Sequence, residues 1–130
     1  MTAGGSPLAM RCMAGGALLM LAAVILGAFG AHALQSMLTP KQLASYATGV
    51  TYQQLHALGL VLVGVIARVT APSPWLARAA VLFLVGIVLF SGSIYAMTFG
   101  APRWLGMVAP IGGTSFMAGW VCVAVHALRG

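Results

Sequence analysis

The sequence contains no aspartate and no glutamate. Without a side-chain carboxylate there is no orienting partner for a Ser–His–Asp triad, no acid/base pair for glycoside hydrolysis and no calcium-type site. Carboxylate proton relays of the kind ion pumps use are excluded as well. Charge of either sign is scarce, at 5% of the 130 residues, against about 25% in an ordinary soluble domain. There are two cysteines, Cys12 and Cys122, far apart and each in apolar surroundings. That spacing suggests neither a disulfide framework nor a zinc knuckle and reads as two buried thiols. What fills the chain instead is apolar: 62% of the residues are hydrophobic and the mean hydropathy is +1.06. A chain this poor in polar groups cannot cover itself for water, and the expected partner is the lipid bilayer.

The six basic residues, Arg11, Lys41, Arg68, Arg78, Arg103 and Arg129, stand singly between apolar runs. Nucleic acid is therefore not an expected partner, because backbone tracking needs a continuous basic patch. The apolar runs are Cys12 to Leu34, Val50 to Val69, Ala77 to Phe99, and Leu105 to Leu128. Each approaches the ~20 residues that a helix needs to cross ~30 Å of hydrocarbon. The expected fold is an all-α membrane protein, an antiparallel bundle of four transmembrane helices forming one domain over residues 11–130. Residues 1–10, with Gly4, Gly5, Ser6 and Pro7, have no periodicity and are expected to form a disordered tail.

Breakers separate the runs. Thr39-Pro40 reads as N-cap and first residue of the second helix, and Leu43, Tyr46, Ala47 and Val50 continue it at helical spacing as an interfacial turn. Ala71-Pro72-Ser73-Pro74 and Gly100-Ala101-Pro102-Arg103 form the other two turns. At the amino end, Arg11, the apolar run and Ala31-His32-Ala33 imitate a cleavable signal. The run exceeds the usual ~7–15 residues of a signal core. With Ala23, Gly27 and Ala31 as a small-residue stripe for helix packing, retention as the first span is the expectation. Four spans place Arg11, Arg68, Arg78 and Arg129 on one side and Lys41 and Arg103 on the other. The positive-inside rule then puts both termini in the cytoplasm of a multi-pass bacterial inner-membrane protein.

Depth sorts the polar residues. His32, Gln53, His56, Ser91, Ser93, Tyr95, Thr114 and Ser115 all fall in the outer leaflet on that topology. Gln53 and His56, at i and i+3, share a face. Pro110-Ile111-Gly112-Gly113 is expected to break the fourth helix at membrane depth, where protein or water must satisfy the freed backbone. His32 and His56 are expected to face one another across the first two helices. They read first as structural histidines hydrogen-bonding Gln53, Ser91, Tyr95 or freed carbonyls. The alternative is a ligand pair for haem or copper, with Met97 and Met107 as soft thioethers. His126 lies on a stripe with Ser115, Gly119 and Cys122 that reads as a packing seam. Trp75, Trp104 and Tyr46 fall at span boundaries and are expected to be interfacial anchors.

Several segments carry a resemblance. Gly27-Ala28-Phe29-Gly30-Ala31-His32-Ala33-Leu34, then Tyr52-Gln53-Gln54-Leu55-His56-Ala57-Leu58, then Gly86-Ile87-Val88-Leu89-Phe90-Ser91-Gly92-Ser93-Ile94-Tyr95, then Ala109-Pro110-Ile111-Gly112-Gly113 with Phe116 and Gly119-Trp120 together resemble the domain-of-unknown-function 423 family. Its members are small bacterial membrane proteins with transmembrane-256-like relatives in animals. The resemblance runs from Met13 to Val125 and departs after the first motif, where only Lys41 remains of a segment often rich in charge. It implies a four-helix inner-membrane protein of unassigned activity.

Three function classes follow from the sequence. The first, favoured by the lack of catalytic groups and by small-residue helix faces, is a non-enzymatic accessory or assembly protein packing with a larger membrane complex, without a cofactor. The second is a binding module for haem, quinone or copper at the His32/His56 cluster. The third is a carrier of a small neutral solute, which four helices would need a homo-oligomer to build.

Overall fold

The computed structural model describes residues 6–129. It contains four long helices: α1 Pro7–His32, α2 Pro40–Val69, α3 Pro74–Thr98 and α4 Ala109–Arg129. All are long and apolar enough to cross a membrane, the fourth together with a leading 3-10 turn at Arg103–Met107. No strand occurs among the described residues. The molecule is an all-α membrane protein, an antiparallel four-helix bundle.

Local chemistry sets the helix starts. Ser6 caps α1, its hydroxyl accepting from Ala9 N at 3.2 Å, and Pro7 takes the first helical position, where its missing N–H costs nothing. Residues 7–10 are thus helical, which corrects the expected ten-residue tail; Ala9 is fully buried against α2. Residues 1–5, the rest of that tail, lie outside the described residues. At α2, Thr39 Oγ1 accepts from Gln42 N at 3.2 Å while Gln42 Oε1 accepts from Thr39 N at 2.9 Å, a complete capping box followed by Pro40. α2 has 30 residues, about 45 Å of helix, so it exceeds the ~30 Å hydrocarbon core. Ser73 caps α3 with a single bond, its hydroxyl accepting from Trp75 N at 3.2 Å, and Pro74 follows.

α3 is interrupted at Ile87–Ser91 by one π-helical turn and resumes as Gly92–Thr98. It stops before Gly100, whose φ of 106° an L side chain would strain. The fourth span differs from expectation. Pro110 lies in the first turn of α4, and Gly112 and Gly113 continue the helix without a break. A proline so near a helix start removes no ladder bond, which is why the expected irregularity is absent.

α1 packs on α2, α3 packs on α4, and the two hairpins join where α2 meets α3. Missing side chains permit the close approaches. A Cβ at Gly16 would lie 2.7 Å from Ala57 O and 2.8 Å from Val61 N of α2. One at Gly112 would strike the backbone N of Phe90 in the π turn. The largest apolar cluster joins Cys12, Leu60, Val63, Leu76, Phe83 and Cys122, so both thiols are free and buried. Outward faces, among them Leu18, Leu21 and Ile25 on α1, Val88 on α3 and Val121 on α4, are apolar and exposed. Lipid is the solvent that such faces require.

Candidate functional site

α2 supplies the centre of the bundle. Tyr46, Gly49, Val50, Gln53, His56, Ala57, Leu60 and Val63 all lie on its buried face, the three- and four-residue steps of a single stripe. Gln53 is 4% exposed and bridges both neighbours: its Nε2 donates to Leu19 O of α1 at 2.9 Å and its Oε1 accepts from Tyr95 OH of α3 at 2.7 Å. One turn toward the start of α2, Ser91 Oγ of the π turn donates to Gly49 O at 2.7 Å. Tyr46 donates to Leu26 O of α1 at 2.5 Å and packs on Tyr95, ring centroids 5.6 Å apart. It is buried, which corrects its assignment as an interfacial anchor.

One turn beyond Gln53, His56 sits in an aromatic cage. Phe116 of α4 stacks on the imidazole at 3.5 Å between centroids, Phe83 of α3 meets its edge at 5.4 Å, and Tyr52 lies stacked at 6.1 Å. Trp120 Nε1 lies 3.1 Å from His56 Nε2, and His56 Nδ1 lies 2.7 Å from Tyr52 O. An indole nitrogen can only donate, so Nε2 must accept, and Nδ1 carries the proton that goes to Tyr52 O. The cage therefore selects one neutral tautomer of His56. Every buried side-chain N and O among the described residues has a hydrogen-bond partner, as a low-dielectric interior demands.

The cluster read from the sequence is brought together only in part. Gln53, Tyr95 and Ser91 converge on one stretch of α2, and His56 lies a turn away. Ser93 is buried but turns its hydroxyl back to Phe90 O at 3.0 Å. His32 does not take part: it is exposed at the last residue of α1, level with Tyr46, which packs on Gly30. His56 pairs with Trp120 instead, so the expected facing of His32 and His56 is overturned. The reason is helix length. α2 begins at Pro40, as its cap signal predicts, ten residues before the apolar run at Val50 from which the depth of His56 is counted, so His56 is its seventeenth residue and lies at mid-helix, not at its end. Met107 is 75% exposed and Met97 lines a separate cleft. The proposed haem or copper set of His32, His56, Met97 and Met107 is therefore not assembled.

Sequence reasoning missed Trp120, Phe116 and Phe83 as partners of His56. The signal was present: Phe116 and Trp120 stand four apart and share one face of α4. The stripe Ser115, Gly119, Cys122 and His126 is a packing seam, with Ser115 Oγ donating to Leu82 O at 2.7 Å and Gly119 lying against Phe83. His126 Nε2 lies 3.2 Å from Thr70 Oγ1, whose own hydrogen goes to Ile66 O at 2.9 Å, so the ring donates there. Trp75 lies beneath two guanidinium groups, Arg78 at 4.6 Å and Arg129 at 5.5 Å, while Trp104 is 63% exposed.

Clefts open at both ends of the bundle. One of about 600 Å³ is lined by Thr70, Ser73, His126 and Arg129, and one of about 480 Å³ by Lys41, Ser45, Met97 and Arg103.

With this geometry in place, comparison with known proteins decides the family. The model of the family described as "Protein of unknown function (DUF423)" matches residues 26–113. The chain belongs to the DUF423 family. Similar proteins include the UPF0382 membrane protein YwdK of Bacillus subtilis, 40% identical over 114 residues, covering 88% of this chain and 93% of that protein. The UPF0382 membrane protein SH2409 of Staphylococcus haemolyticus is 39% identical over 115 residues, covering 88% and 92%. The UPF0382 inner membrane protein YgdD of Escherichia coli is 39% identical over 106 residues, covering 82% and 80%. No solved structure matches the chain. The DUF423 match takes in the end of α1, all of α2 and α3, and the start of α4, and so includes Gln53, His56, Ser91 and Tyr95.

Proposed function

We propose that this protein is a non-enzymatic accessory or assembly subunit of the bacterial inner membrane, with both termini cytoplasmic, that docks against a larger membrane complex. The observation that carries this reading is the placement of α1. It packs on α2 and is the least buried of the four spans, with Leu18, Leu21, Val24, Ile25 and Phe29 facing outward, so it has the most apolar surface to offer a partner helix in place of lipid. The buried polar groups, by contrast, engage one another, which fits a role in shaping the bundle more than a role in binding a substrate.

The test is site-specific photocrosslinking in native membranes. A photoreactive residue at Leu21 on α1 should give a discrete adduct with another protein, whereas the same residue at Val88 on α3 should not. Adducts with lipid alone at both positions would contradict the accessory reading. An adduct of twice the protein's own mass at Leu21 would replace it with self-association.

A further inference from the structure

We infer that the cleft at the Lys41/Arg103 end of the bundle is a binding site for the headgroup of an anionic glycerophospholipid of the phosphatidylglycerol class. The cleft encloses about 480 Å³ between the first turns of α2, the last turns of α3 and the connection that follows, within the range typical of small-ligand sites. Lys41 and Arg103 are 62 residues apart in sequence, yet both line it. The sequence holds no Asp or Glu, so no side chain can neutralise either cation. Two like charges held at one cleft repel one another unless an anion stands between them.

The other lining groups say which anion. Thr39, Gln42 and Ser45 lie on one wall with Thr98 opposite, and Ile94, Met97 and Ala101 make the rest of the lining apolar. The Gln42 Oε1 and the Thr39 Oγ1 both act as acceptors within the capping box, and the Thr98 hydroxyl donates to Ile94 O at 2.8 Å. The Gln42 amide nitrogen and the Thr39 and Ser45 hydroxyls are left to donate to phosphate or glycerol oxygens. A guanidinium matches phosphate oxygens with its planar fork and an ammonium adds a point charge. The apolar lining suits the ester and first methylenes of an acyl chain. A free phosphate ion would make no use of that lining. The position also fits: the cleft lies at the ends of membrane-spanning helices, beside exposed Phe99 and Trp104, where lipid phosphates reside.

The test uses the full chain in mixed phosphatidylcholine/phosphatidylglycerol nanodiscs, with native mass spectrometry reading the first retained lipid. Wild-type protein should retain one phosphatidylglycerol in preference to phosphatidylcholine, with or without millimolar inorganic phosphate. Each surface charge near an anionic lipid contributes about five-fold in affinity, so K41Q/R103Q should weaken that first binding about twenty-five-fold. The charge-preserving K41R/R103K should restore most of it, and R68Q/R78Q, at the opposite end, should leave it intact. Equal retention of phosphatidylcholine, displacement by inorganic phosphate, or an equal loss in K41Q/R103Q and R68Q/R78Q would each overturn the assignment.

Discussion

The Gln53–Tyr95 contact permits a quantitative test of how the bundle is held. Gln53→Leu keeps the volume of the side chain but leaves the Tyr95 hydroxyl without its 2.7 Å acceptor and removes the bond to Leu19 O. A buried donor left unpaired costs about 1–3 kcal/mol. Tyr95→Phe leaves the amide oxygen of Gln53, a residue only 4% exposed, without its donor. In the double variant neither orphan remains. The double variant should therefore be more stable than the sum of the single effects by about 0.6–1.7 kcal/mol, the average and upper values found for interhelical hydrogen bonds in membranes. Reversible unfolding in mixed dodecylmaltoside/dodecyl sulfate micelles measures each variant. Additivity to within about 0.3 kcal/mol would show that the two side chains are not coupled and that this contact does not help to hold α3 on α2.

Three further outcomes are expected. At Gly16 an added Cβ meets backbone atoms of α2, whereas at Gly15 it meets only Leu60 Cδ2 at 4.0 Å; Gly16→Ala should destabilise by about 1–3 kcal/mol, and Gly15→Ala should be neutral or stabilising by up to about 1 kcal/mol, read by the same unfolding assay. Thr70→Val removes the acceptor of the His126 ring and should cost about 1 kcal/mol, with Thr70→Ser close to wild type. In a background with Cys12 and Cys122 replaced by Ala, a cysteine at Lys41 should react with a membrane-impermeant thiol reagent on whole cells and one at Ser6 should not, and the reverse labelling would invert the orientation.

The four helices were legible because each apolar run and each Ser/Thr–Pro start carries its own signal: Thr39-Pro40 marks the start of α2, and Ser73-Pro74 falls in the turn where α3 begins. Ser6-Pro7 carries the same signal, but the glycines before it give the segment the composition of a tail. Rotation was not legible on α1. A helix apolar on every side has no polar face to orient it, so nothing in the sequence marks His32 as exposed while Gly30, two residues earlier, is buried against Tyr46. On α2 the contrast is stronger, and Gln53 and His56 do point inward together. Their depth is less legible: the apolar run beginning at Val50 places them near a span end, whereas the capped start at Pro40 places them at mid-helix. The π turn at Ile87–Ser91 had only its flanking glycines, Gly86 and Gly92, to announce it. Such turns arise from how one helix seats against its neighbours, here Ser91 on Gly49 O and Phe90 beside Gly112, and no local spacing encodes that.

The polar groups inside this bundle are closed on one another, with His56 locked between Trp120 and its own helix. Nitrogen-15 solid-state NMR of histidine-labelled protein in liposomes, with the His56 signals assigned by comparison with Trp120→Phe, tests it directly. A single neutral tautomer is expected, with the proton on Nδ1 and a hydrogen-bonded, unprotonated Nε2 that shifts when Trp120 is replaced. A proton on Nε2, an exchange-averaged mixture of tautomers, or signals indifferent to the Trp120 substitution would contradict it.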